Sequence, residues 1–219
     1  MIYIANKKSK LDNLKKKYPN AYIMDLTSKA REPYLQFSPF YPHGDIPVPF
    51  SPNVSSQTVE GIWQGLKVFN EEGVDISKFD IANMKGLKRT VRTKGLVIGH
   101  QKGLNSNELL SYLDARLDIY LPSYKYILDN FMEGTIERLK TALKEKDIVF
   151  LDYETNFLVS ISKPLSHAFL VKSYLENNYP ERSNYLAVDE YYRNNVTLKK
   201  PIKKTRSEQL TNNSQNTLF

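Results

Sequence analysis

Glu60, Gln64 and Lys67 lie four and three residues apart within one segment. A carboxylate, an amide and an ammonium group so spaced can exchange a proton, hold a hydroxyl and meet an anion. On an α-helix, at about 100° per residue, they fall at roughly 0°, 40° and 340°, inside one stripe. Val59, Ile62, Trp63, Leu66 and Phe69 form an apolar face centred at about 240° in the same frame. The polar stripe therefore flanks the buried face rather than opposing it, with Trp63 bordering Lys67, and a helix so built can wall a cleft. Gly61 and Gly65 lie on the other side. Each costs about 1 kcal/mol in a helix interior, which implies a close neighbour to the backbone. Periodicity also accommodates a plainer reading: Glu60 serving the helix dipole, Lys67 in solvent and Trp63 in the core.

Other residues invite comparable questions. Asp152 follows the apolar run Ile148 to Leu151, and two readings stand for it: a second carboxylate at a strand's end, or a turn residue. Residues 81–107 carry Lys85, Lys88, Arg89, Arg92, Lys94 and Lys102 without an acid, and four glycines. That pattern suits a phosphate-binding wall, with Arg89, Arg92 and His100 as contacts, or a solvated basic surface. His43, His100 and His167 lack helical metal spacing, so no metal site is expected. His43 suits a cleft-lining loop. His167 is either a structural hydrogen-bonder or a polariser of a leaving group. Tyr120 and Tyr124 flank Pro122 and suit base stacking, although with 15 tyrosines in the chain any one is a weak pointer.

The elements that must position these residues are legible in part. Ile2–Ala5 and Ala21–Leu26 read as strands around a basic helix, Lys10–Tyr18, which suggests a βαβ-like start. Residues 33–53 hold six prolines among Phe37, Phe40, Tyr41 and Phe50, and predict an ordered irregular loop on the core. Helices are expected over Gln57–Asn70, Glu108–Tyr120 (ended by Pro122), Tyr124–Glu145 and Ser166–Asn177, with a buried strand over Asp147–Leu151. The fold class is α+β or α/β: a mainly helical single domain with a small sheet. Residues 1–198 form the globular unit and 199–219 a basic tail expected to be disordered.

The bulk numbers narrow the function. The chain of 219 residues is long enough for its own core and has no cysteine, which excludes disulfides, thiolate metal sites and a cysteine nucleophile. The net charge is +7, but Lys199, Lys200, Lys203, Lys204 and Arg206 against Glu208 put +4 of it after residue 198. The globular part keeps only +3, which weakens a duplex-DNA reading. No stretch has the apolar length of a membrane span, and a cytoplasmic location is expected.

Phe37-Ser38-Pro39-Phe40, then Thr58-Val59-Glu60-Gly61-Ile62-Trp63-Gln64-Gly65-Leu66-Lys67, resembles the NADAR pattern: Phe-Ser-Asn-Phe, then Ser/Thr-x-Glu-His-x-x-Gln-Ala-x-Lys on a helix. Glu60, Gln64 and Lys67 match residue for residue, while Pro39 replaces Asn and Gly61 replaces His. Asp152 and Pro164-Leu165-Ser166-His167-Ala168 are similar to the family's later Gly-Asp element and closing helix. The blocks Phe-Ser-Pro-Phe-Tyr-Pro-His-Gly, Gly-His-Gln-Lys-Gly and Pro-Leu-Ser-His-Ala also resemble a family of bacterial and bacteriophage proteins. The NADAR resemblance implies an N-glycosidase acting on an ADP-ribose-like or nucleotide-derived substrate, with no cofactor and with nucleic acid as a further partner. It implies Glu60 and Asp152 as catalytic residues. With the readings above, the expected substrate contacts are Phe37, Ser38, Phe40, Tyr41, His43, Trp63, Gln64, Lys67, Arg89, Arg92, His100, Asn156 and His167.

Overall fold

The computed structural model describes residues 1–197. Its strands are β1 (Ile2–Asn6), β2 (Ala21–Asp25), β3 (Ile46–Pro47), β4 (Ser55–Ser56), β5 (Lys67–Phe69), β6 (Val97–Gln101), β7 (Leu109–Leu110) and β8 (Asp147–Asp152). Its α-helices are α1 (Leu11–Lys17), α2 (Val59–Gly65), α3 (Val91–Lys94), α4 (Tyr112–Ala115), α5 (Leu121–Asn130), α6 (Glu133–Glu145), α7 (His167–Leu175) and α8 (Tyr185–Thr197).

The most deeply buried strand takes the centre. Ile148, Val149 and Phe150 are fully buried, and β8 pairs in parallel with β1 on one side and β2 on the other. A strand buried on both faces needs an unbroken apolar middle, which Ile148–Leu151 supplies, whereas β1 and β2 are mostly half-buried. Alternate residues of β8 serve two cores: Val149 and Leu151 pack on Leu14 of α1, whereas Ile148 and Phe150 join the main core. The βαβ-like start is present, with β1 and β2 parallel and joined by α1, but the two strands are not neighbours because β8 lies between them. A second sheet, ordered β5-β6-β7, is antiparallel and sets Lys67 opposite His100. The whole is one α+β domain, mainly helical with small sheets, as the sequence predicts.

Several boundaries differ from expectation. The helix expected over 57–70 stops at Gly65, and Lys67–Phe69 pairs with β6 instead. Leu109–Leu110 is strand, and the next helix starts after Ser111, whose hydroxyl caps Asp114 N–H. Pro122 does not end that helix. A π-helical segment over Arg116–Tyr120 links α4 to α5, with Leu121 N–H donating to Arg116 O, five residues back. Proline has no N–H to give and its ring crowds the carbonyl four residues earlier; a wider turn just before it relieves both problems. The helix expected over 124–145 is broken at Phe131 and Met132. Helix α8 and strand β6 were not expected. The predicted tail at 199–219 lies outside the described residues. Among the described residues, no helix is long and apolar enough to cross a membrane.

Candidate active site

A cleft of about 500 Å³ opens between α2, the π-helical segment and the end of β8. That is a usual size for a small-molecule site. One wall carries Glu60, Trp63, Gln64 and Lys67; another carries Tyr112, Arg116 and Tyr120; Asp152 ends β8, Glu154 follows it and His167 opens α7. A larger, more open hollow of about 580 Å³ runs along residues 47–55, but no ionisable side chain lines it.

The carboxylate–amide–ammonium row is a hydrogen-bonded chain. Gln64 Nε2 donates to Glu60 Oε1 at 2.8 Å, and Lys67 Nζ donates to Gln64 Oε1 at 3.1 Å. Arg89 N–H also donates to Gln64 Oε1, at 3.0 Å. Two donors on one atom identify it as the oxygen, so the amide can only present its NH₂ to Glu60. The short helix places Glu60 and Gln64 four apart on one face, and β5 then brings Lys67 back to them. Burial pushes the Glu60 carboxyl above its ordinary range, against the Gln64 hydrogen bond and the charges of Lys67 and Lys88. Burial also lowers Lys67, which Glu60 partly offsets. A carboxyl raised towards neutrality suits proton transfer.

The glycine expectation holds. A Cβ on Gly61 would stand 2.6 Å from Lys78 O, and one on Gly65 would stand 2.3 Å from Phe79 Cε1. The chain at 75–79 presses on that face, so the histidine that NADAR proteins carry after the glutamate has no room here.

Asp152 is more than a turn residue. It ends β8, is buried, and its Oδ2 accepts from Ser166 Oγ at 2.7 Å and Ala168 N–H at 3.3 Å. It thereby anchors the N-terminus of α7, where a carboxylate is favoured. His167 Nδ1 lies 3.3 Å from the same oxygen, and its Nε2 meets Leu26 O at 2.5 Å. Among the described residues, nothing bonds Asp152 Oδ1 or Glu60 Oε2. Each carboxylate thus offers one oxygen to a ligand.

Trp63 is packed from several sides. His100 lies against it with centroids 3.8 Å apart, while Tyr112 and Tyr120 meet it edge-on at 5.7 and 5.6 Å. His100 is buried with both ring nitrogens unpartnered among the described residues, and burial, then the charge of Lys67, drops it to about 3. A neutral imidazole is therefore the backing for the indole.

The structure brings Glu60, Asp152, Phe40, Trp63, Gln64, Lys67 and His167 to the cleft and places the other predicted contacts elsewhere. Phe37 is core, and its carbonyl accepts from Tyr124 Oη at 2.6 Å. Ser38 is buried behind Ser28, donating to its Oγ at 2.9 Å, and Pro39 O accepts the Glu60 N–H at 2.8 Å. Phe37 and Ser38 of the Phe-Ser-Pro-Phe element thus support the site from behind, while Pro39 and Phe40 line the cleft. Tyr41 touches His43, which stacks on Phe131 at 5.0 Å and bonds Gln36 O at 2.9 Å. Arg89 turns inward: its guanidinium donates to Gln64 O, Lys67 O and Gly73 O and pairs with Glu72 at 3.3 Å. Arg92 is exposed on α3. His100 lies beneath Trp63 rather than in the cleft. Asn156 holds its own loop, with Nδ2 on Leu158 O and Oδ1 on Leu158 N–H.

Residues not singled out as contacts also line the cleft: Ser28, Tyr112, Arg116, Glu154 and, from the basic run, exposed Lys88. Tyr112, Arg116 and Tyr120 recur every four residues, which was the available signal. Arg116 is buried and ties down residues 159–163 through bonds to Val159 O, Ile161 O and Lys163 O.

Fold and site together define an α+β domain with a polar cleft in which three carboxylates (Glu60, Asp152, Glu154) face three cations (Lys67, Lys88, Arg116) beside an aromatic wall. Residues 6–171 match DUF6939, a family of unknown function, and the chain belongs to that family. No curated protein matches the chain.

Proposed function

We propose that the cleft is the active site of an N-glycosidase, which hydrolyses an N-glycosidic bond in an ADP-ribose-like or nucleotide-derived substrate. The observation that carries this reading is Glu60: a buried carboxyl with raised proton affinity, held by Gln64, with one oxygen free towards a cleft of nucleotide-fragment size. Cleavage passes through an oxocarbenium-like sugar. Glu60 takes the proton of the attacking water, and the free oxygen of Asp152 stabilises the sugar's positive charge. Trp63 supplies an aromatic surface for the base, and Lys67 and Lys88 supply positive charge for phosphate. The match of Glu60, Gln64 and Lys67 to the NADAR helix supports the same reading.

The test is incubation with ADP-ribosylated DNA, NAD, ADP-ribose and riboflavin-pathway intermediates, with products read by mass spectrometry. Wild-type protein should release a free base or sugar phosphate from at least one, and Glu60→Gln should lose about 10²–10⁴-fold in rate with the fold intact. Equal turnover by both proteins refutes the assignment. A second reading, ligand capture without turnover, is favoured by the structural duty of Asp152 at α7. It predicts ligand-induced thermal stabilisation with no product.

A further inference from the structure

We infer that the Tyr120 hydroxyl donates a hydrogen bond to the departing base nitrogen, so the cleft is built for glycosides whose leaving group is a neutral heterocycle. This rests on the glycosidase reading and names its substrate class.

Several buried donors around the cleft are committed, while Lys88 Nζ and the Tyr112 hydroxyl stand at its more exposed rim. Lys67 Nζ is on Gln64, Arg116 is on three carbonyls and Tyr112 Oη, and the His167 ring nitrogens face Leu26 O and Asp152. Buried tyrosines nearby are satisfied too, Tyr124 by Phe37 O and Tyr179 by Leu121 O. Tyr120 differs. Its ring is held between Trp63 and Tyr124, 5.6 and 6.2 Å away, yet its hydroxyl bonds nothing among the described residues. Nor is that oxygen among the sealed, unpartnered atoms of the interior, so it opens into the cleft that Tyr120 lines. A phenol ordered by two rings and left without a partner is a donor awaiting an acceptor.

The backbone explains its aim. In a plain α-helix a residue four positions on is rotated by about 40°, so Tyr112, Arg116 and Tyr120 would drift off a common face. The wide turn over Arg116–Tyr120 takes rotation back, and all three line the cleft. Burial, then the charges of Glu60 and Asp152, raises the phenol well above its ordinary range. It therefore stays protonated, and both carboxylates lie within its electrostatic reach.

In the step itself the C1′–N bond breaks and its electron pair goes to the base nitrogen. Tyr120 hydrogen-bonds that nitrogen as charge grows on it and keeps its own proton. The water oxygen bonds C1′, its proton passes through Glu60 to bulk water, and bulk water returns one proton to the free base. A leaving group that is cationic while attached, such as the nicotinamide of NAD, departs neutral and needs no such donor.

The experiment compares wild type and Tyr120→Phe on ADP-ribosylated DNA and on NAD, with kcat and KM separated. The variant removes an oxygen that bonds nothing among the described residues, and a thermal melt verifies the fold. The expected result is a fall in kcat of about 10²-fold on ADP-ribosylated DNA, at least ten times the fall on NAD, with KM nearly unchanged. Equal falls on both, a change confined to KM, or no change overturns the inference alone. Wild-type cleavage of NAD but not of ADP-ribosylated DNA overturns it as well. Wild-type protein that cleaves neither overturns the inference, and failure on ADP-ribose and the riboflavin-pathway intermediates as well sinks the glycosidase reading with it.

Discussion

Arg89→Met separates a structural arginine from a ligand-binding one. The guanidinium is buried and donates to Gln64 O at 3.0 Å, Lys67 O at 2.6 Å and Gly73 O at 2.6 Å, with Glu72 at 3.3 Å. It staples the end of α2 to β5 and to the turn beyond. Methionine keeps the aliphatic stem but strands these acceptors. Each charge-assisted bond is worth about 1.5–3 kcal/mol net, and removing one partner of a buried charged cluster costs about 3–5 kcal/mol in total. Lys94 still neutralises Glu72, and water can reach some acceptors, so the lower half of that range is expected. At about 2–4 °C per kcal/mol for a domain of this size, Tm should fall by roughly 6–16 °C. The backbone N–H of Arg89 remains to orient Gln64, so ligand added at low temperature should still raise Tm. The assay is thermal denaturation with and without ligand, beside Arg92→Met, which is exposed and should melt within about 1 °C of wild type. An Arg89→Met protein with unchanged Tm and no ligand response would refute the argument and make Arg89 a ligand contact.

Two further outcomes follow from the same geometry. His100 has an ordinary value of 6.5 and is lowered to about 3 in the fold. Between these values the unfolded chain binds a proton that the folded one refuses, so its contribution to stability is complete above pH 6.5 and is lost as pH falls towards 3. His100→Phe, which keeps a ring under Trp63, should lose less stability between pH 6.5 and 4 than wild type; parallel denaturation curves would count against this. Gly61→Ala places a Cβ 2.6 Å from Lys78 O and should cost about 1–3 kcal/mol or more by chemical denaturation, with Gly61→His worse still; a variant as stable as wild type would show that residues 75–79 yield freely.

Legibility varied with the range of the interaction involved. Glu60, Gln64 and Lys67 were readable together, because side chains a few residues apart meet through local backbone geometry. Their elements were read less well: Lys67 reaches the row from a strand, since pairing with β6 outweighs helix continuation after Leu66. Arg89 and Arg92 look equivalent in a charge run, but Arg89 is buried against carbonyls and Arg92 is in solvent. No local signal distinguishes them, because the acceptors come from Gln64, Lys67 and Gly73, well back along the chain.

The amino-acid order alone determined the mixed helical and strand character, the apolar strand ending at Asp152, the glycines that need a close neighbour, and the polar row beside a buried seam. Each depends on period, composition or a single residue's conformational limits, which act over a few positions. Tertiary structure decided which strand is central, that Phe37, Ser38 and His100 support the cleft rather than line it, and that Tyr120 joins Glu60 and Asp152 there. Those outcomes rest on contacts between residues far apart in the chain, where packing and the pairing of buried polar groups select among arrangements that local preferences leave nearly equal in energy.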